Sequence, residues 1–312
     1  RHSFPTRRSS DLGGAGGGKA GVGAALDTTV LIKTVKAYVE DDTVADGKEA
    51  TINADRNVQI EAGASEVITS VSMGFAGGGN AGVGGAVSVA VNKNDVQAGI
   101  GKLGKVDSDG NVLVNAQDDV VAVLTSGAGA GGGDAGVGGS LAVATLLETT
   151  KAYIGDGATV NARGNADAAT VYSGETVFSD TEHKPDAFVA KKTESAKGLS
   201  VTAYNRENLI TTVIAGAGGG TAGVAATVSA NVIASGAEAS IGRNAKINED
   251  NTGAGADQQV RVKAVDETLL IDTALAAAGG GTAGVGGTGN VGVIVKNTTA
   301  KVGKGTTIQA RK

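Results

Sequence analysis

The chain has 312 residues, of which 52 are glycine; aromatics make up 3 per cent, and tryptophan and cysteine are absent. Its net charge of −5 argues against a nucleic-acid-binding face, and 41 per cent apolar residues is too many for simple disorder. Glycine without a three-residue period, with only two prolines, excludes collagen. No apolar run approaches the ~18 residues of a membrane-spanning helix.

The chain opens on His2–Leu12, which reads as the translation of a common short-read sequencing adapter. It has no initiating Met and no apolar core, so it is not a signal peptide. Residues 1–12 are therefore set aside as a non-native leader, and the chain is expected to be a fragment. Removing the leader leaves 24 basic (27 − 3) and 31 acidic (32 − 1) side chains, a net charge of −7.

From Gly13 onward the sequence repeats. An Ala-Gly-Val centre recurs at Ala20, Ala81, Ala135, Ala222 and Ala283, in steps of 61, 54, 87 and 61. A second alanine follows each at the same offset, at Ala37, Ala98, Ala152, Ala239 and Ala300. A third motif is an alternating strand ending in alanine, as in Val58–Ala62, Val112–Ala116, Leu199–Ala203 and Val260–Ala264. The distance from its last alanine to the next Ala-Gly-Val alanine is also constant, as from Ala62 to Ala81 and from Ala116 to Ala135. Only the interval between the second and third motifs is elastic, and it takes the values 25, 18, 51 and 25. Self-similarity of this kind marks a repeat architecture. Period-two alternation, as in Val83, Gly85, Val87, Val89 and Val91, marks strands. The expected fold class is all-β: a parallel β-helix, or β-solenoid, of stacked coils. A repeat step of 54 or 61 divides into three coils of ~18–20 residues each, which gives some 15 coils and a rod of about 70 Å. Its interior is expected to be a narrow stack of Val, Ile, Leu and Ala.

Five units follow: 13–73, 74–126, 127–213, 214–274 and a truncated 275–312. In the first, Glu40, Asp41 and Asp42 form a solvated turn. In the second, Asp107, Asp109 and Asn111 have the opening spacing of an EF-hand loop. The closing position falls on Asp118, inside an expected strand, so the match fails. The third exceeds the ordinary interval by about 26 (51 − 25), through an excursion at 168–198. This segment holds the only His and Pro outside the leader, His183 and Pro185, with Phe178 and Phe188. Phe178, His183, Lys184 and Phe188 are the candidate ligand contacts, because excursions from a repeat scaffold tend to carry function. A tolerated surface loop is the competing reading.

Catalytic, cofactor and metal sites are not expected. The Gly-rich segments, such as Gly16–Lys19 and Gly77–Asn80, precede strands and lack the Gly-Lys-Ser/Thr of a phosphate loop. Gly131–Asp134 resembles half of a nonapeptide calcium repeat, but the Asp does not recur: the equivalent residues are Lys19, Asn80, Thr221 and Thr282. Close packing explains these glycines better. The absence of cysteine suits an exported bacterial passenger equally with chance.

An Ala-Gly-Val-Gly-Gly centre, a Thr-Lys-Ala-Tyr-Ile-Gly motif and then an alternating Val-x-Val-x-Ala strand, carried best by Asp134–Ser140 and Thr150–Val160, resemble the repeats of large filamentous adhesins of Gram-negative bacteria, of the leukotoxin or haemagglutinin type. The resemblance covers about residues 13–312 outside the excursion. It implies a right-handed β-helix exported by type V secretion through an outer-membrane transporter. It further implies display on the cell surface or release, and adhesion to a glycan or protein of a host or neighbouring cell. Two rivals stay open. A polysaccharide-active β-helix enzyme would need stacked carboxylates, for which Asp180, Glu182 and Asp186 are the local candidates. A structural spacer would bind nothing itself.

Overall fold

The computed structural model describes residues 6–45, 48–175 and 192–311. Within these the chain is all β. The first coil comprises β1 (Thr6–Gly17), β2 (Ala20–Val39) and β3 (Thr51–Ala54); the second β4 (Val58–Gly78), β5 (Ala81–Ile100) and β6 (Lys105–Ser108); the third β7 (Val112–Gly132), β8 (Ala135–Ile154) and β9 (Thr159–Ala162). An antiparallel pair, β10 (Ala169–Tyr172) and β11 (Thr193–Ala196), interrupts the third coil. The fourth coil is β12 (Gly198–Gly219), β13 (Ala222–Ile241) and β14 (Lys246–Ile247), and the fifth β15 (Gln259–Gly280), β16 (Ala283–Val302) and β17 (Thr307–Ile308). No helix among the described residues is long and apolar enough to cross a membrane.

The strands sort into three parallel sheets. The first is ordered β1-β4-β7-β12-β15, the second β2-β5-β8-β13-β16 and the short third β3-β6-β9-β14-β17. This is the expected parallel β-solenoid, but the coils are three times larger than expected. Val87 pairs with Leu141 and Ala203 with Ala264, each partner standing at the equivalent position of the next repeat. Neighbouring strands are thus one whole repeat apart. One constant spacing lies along a single strand, as from Ala81 to Ala98 in β5, and the other runs along one long strand and around the tip to the first residue of the next, as from Ala62 in β4 to Ala81; neither is a turn of a small coil. There are five coils, not 15, and at ~4.8 Å per coil they stack to about 24 Å. Each long strand spans about 66 Å, so the molecule is a broad, flat blade. Residues 6–12, set aside as a leader, keep the register of the coils that follow, Thr6 lying beside Val67 and Leu12 beside Met73.

The elastic interval of the sequence is the run through the third sheet and its two corners. The motif Lys151–Ala162 encodes the end of β8, the turn Gly155-Asp156-Gly157 and β9. The third turn residue has positive φ in four coils: Leu103 (57°), Gly157 (69°), Asn244 (52°) and Gly305 (79°). Glycine and asparagine tolerate this region; leucine does so at a steric cost.

The two long sheets face each other and their inward side chains grade in size. At the tip, where the first sheet turns into the second, the inward residues are glycines such as Gly82, Gly84, Gly136 and Gly138. A Cβ on Gly138 would lie 2.5 Å from the carbonyl oxygen of Gly216 across the interior. Here the sheets meet backbone to backbone. Further in come Ala86, Ala128, Ala215 and Ala225, then Ile68, Leu124, Leu146, Leu209 and Ile233. At the broad end, beside the third sheet, the core is Val, Ile and Ala, including Val96, Ile100, Val114, Ile154 and Val201.

One expectation about the interior is overturned. The stripe Val83, Val87, Val89, Val91 faces outward; Val83 and its register partner Val137 are each 43% exposed. The inward set of the same strand is Gly82, Gly84, Ala86, Ser88, Ala90, Asn92 and Asn94, then Val96, Ala98 and Ile100. The apolar stripe therefore changes face midway along the strand. Near the tip the space between the sheets is too thin for valine, so the large apolar side chains project from the outside.

Candidate functional site

The candidate ligand contacts Phe178, His183, Lys184 and Phe188 lie outside the described residues, as do Asp180, Glu182 and Asp186. What is described of the excursion shows where it is anchored. The β10–β11 hairpin folds over the outer face of the first sheet at its broad end, where Val171 and Ala196 pack on Leu113. Tyr172 stacks on Tyr204, with ring centroids 4.5 Å apart, and donates its hydroxyl to Gln117. Tyr204 in turn donates to Glu267 at 2.6 Å, and burial raises the affinity of both phenols for their protons. Glu194 binds Lys263 at 2.6 Å and also pairs with Arg261, tying the hairpin to the fifth coil. Between hairpin and sheet lies a cavity of about 180 Å³ lined by Glu61, Asn115, Thr170, Tyr172 and Thr202 among others. An amphipathic floor with a tyrosine wall can hold a small polar group, such as one sugar ring.

The EF-hand look-alike is structural. Asp107 pairs with the Arg163 guanidinium, which also contacts Asp109 at 3.3 Å and Asp250 at 2.9 Å, joining three coils. That hydrogen bond holds the Asp107 carboxyl below its usual range. Asn111 is buried and donates to the Asp167 carbonyl at 2.8 Å. The Gly-rich segments form the tip turns, where Asn80 donates to Asp134 at 2.9 Å.

Sequence reasoning missed a polar row inside the blade. Between the leucine layer and the broad-end core run Lys33, Glu66, Asn94, Asp118, Glu148, Asn205, Glu207, Asp266 and Lys296. Asn94 bridges Glu66 at 2.6 Å and Asp118 at 2.9 Å, and Asn92 donates to Glu148 at 2.8 Å. Lys296 pairs with Asp266 at 2.7 Å and Glu207 at 3.4 Å, and Lys33 pairs with Glu66 at the other end. Thus cations cap both ends of a row of carboxylates. Burial pushes Asp118 up to about 6 and Glu207 to about 7, while burial and the neighbouring Asp118 push Glu148 further still. The signal was present as strand phase: Asp118 and Glu207 have the same parity as the inward valines that precede them.

The outer face of the second sheet is the other large feature. Its outward positions from the tip to Val91 in β5, and to Leu147 in β8, carry no charge. An open groove of about 630 Å³ crosses the coils on this face, with Ala24, Gly85, Gly139 and Ala226 as its floor. Those four residues are consecutive register partners.

No family model matches this chain, and no curated protein or solved structure matches it.

Proposed function

We propose that this chain is part of a surface-displayed or secreted filamentous adhesin, a repetitive stalk that presents equivalent outward positions once per coil. The observation that carries the reading is the coil register: every outward position recurs at ~4.8 Å intervals along the stack. Equal, closely spaced weak contacts to a host or neighbouring-cell glycan or protein add up through avidity. Nearest-neighbour stacking also suits export by type V secretion, since coils can form one after another as the chain emerges. The chain acts by binding and by extension, not by catalysis.

The excursion at 168–198 departs from the repeat, and the tyrosine-walled cavity at its base favours a carbohydrate contact there. Glycan-array and cell-binding measurements on the full chain, beside a variant lacking 168–198, test the proposal. Binding lost with the deletion assigns adhesion to the excursion, and binding retained assigns it to the repeated faces. Absence of binding by both would refute an adhesive role for this chain.

A further inference from the structure

The exposed apolar face of the second sheet is larger than a free surface ordinarily carries. Exposed valines recur on every coil: Val22, Val83, Val137, Val224 and Val285 are all between 42% and 69% exposed. Eleven residues of strand at about 3.3 Å, across five strands at about 4.8 Å, give a charge-free band of roughly 850 Å². Contiguous apolar patches of this size mark an interaction site.

We infer that this face is a self-association surface on which two copies of the chain pack side by side. The first argument is shape. The groove floored by Gly85 and Gly139 runs parallel to a ridge made by their neighbours two residues on, Val87 and Leu141. A two-fold axis along the coil stack, between the floor and that ridge, seats each copy's Leu141 ridge in the other's Gly139 groove. The contact is isologous and keeps the coils of both copies in the same order, so it extends with every added coil. The second argument is area, since about 850 Å² per copy matches the ~800 Å² that each partner of a stable complex buries. The third is the absence of charge on the outward positions of the band, so no unpaired ion is buried when it closes. A lipid surface is the poorer occupant. Lipid chains are fluid and have no use for a register of ridge and groove.

Glycine at position 139 offers a clean test, because a Cβ there has nothing of its own chain within 4 Å. Analytical ultracentrifugation of the whole chain is expected to show a dimer of twice 30.2 kDa at micromolar concentration. Gly139→Lys places a cation in the dry groove and should raise the dimer dissociation constant roughly 100-fold or more. Thr125→Lys, the same charge change on the outer face of the first sheet, should leave it within about 3-fold of the parent. If Gly139→Lys does not fold, Thr145→Lys, on the same outer face, replaces it. A monomeric parent would overturn the inference, whether or not it floats with phosphatidylcholine vesicles. So would association by Gly139→Lys equal to the parent, which would assign the contact to the open strand edges.

Discussion

Asp118 of β7 and Glu148 of β8 are neighbouring carboxyls inside the blade, almost wholly shielded from water, and the charge of Asp118 adds to burial in raising the proton affinity of Glu148. Glu66 faces them from β4, Asn94 and Asn92 from β5, and Glu207 from β12. Burying two neighbouring acids without a cation between them holds at least one proton in place.

A pH dependence follows. Asp118 and Glu207 titrate near 6 and 7 in the folded chain against roughly 4 in an unfolded one. Their folded values are raised, so the stability linked to them is complete below about pH 4 and is lost as pH rises through 6 and 7. Thermal melts should therefore give a higher midpoint at pH 5 than at pH 8. Glu148→Gln keeps an acceptor for the Asn92 amide without the charge. It should stabilise the chain at pH 8, by on the order of 2 kcal/mol, and flatten the profile. A midpoint that rises with pH between 5 and 8 would contradict the buried pair.

Lys296 caps the far end of the same row, serving Asp266 and Glu207. Lys296→Met removes the cation and leaves two buried carboxylates facing each other. The expected loss is about 3 kcal/mol at pH 8, shrinking at pH 5 as the acids take up protons. Denaturant melts at the two pH values measure it, and an equal loss at both would argue against the ion pairs.

Adjacent glycines should respond oppositely to the same change. Gly138 points between the sheets, where a side chain would run into Gly216, whereas Gly139 points out with open space around it. Gly138→Val should cost more than about 3 kcal/mol or prevent folding. Gly139→Val should be neutral or gain about 0.5 kcal/mol from its better strand preference. Chemical denaturation of the two variants decides the phase of this strand.

At the corner turn, Leu103 adopts the φ that glycine has in the third and fifth coils. Leu103→Gly should relieve about 1 kcal/mol of steric cost and raise the midpoint by a few degrees. A fall would mean that leucine packing outweighs the strain.

The class of fold was legible because the repeat motifs carry it directly. Alternation around Val83–Val91 marks a strand, and the constant offsets, as from Ala81 to Ala98 and from Ala62 to Ala81, fix where the motifs stand. The size of the coil was not legible. A unit such as 74–126 divides as readily into three short turns as into two long strands and one short one, and only pairing, as of Val87 with Leu141, decides. The direction of the valine stripe was hidden for a related reason. Periodicity says that Val83 and Val87 share a face but not which face is inside. The glycines at 82, 84, 136 and 138 held that information, since only a thin interior demands them. The buried Asp118–Glu148 pair went unseen because charged residues are ordinarily assigned to the surface.

One repeat makes one coil. A spin-label distance between Ala81→Cys and Gln97→Cys, both outward on β5, tests it directly in a chain that has no native cysteine. Sixteen residues along one extended strand predict a separation of about 53 Å. A distance below about 15 Å would mean that those residues close a coil of their own, and would contradict the blade.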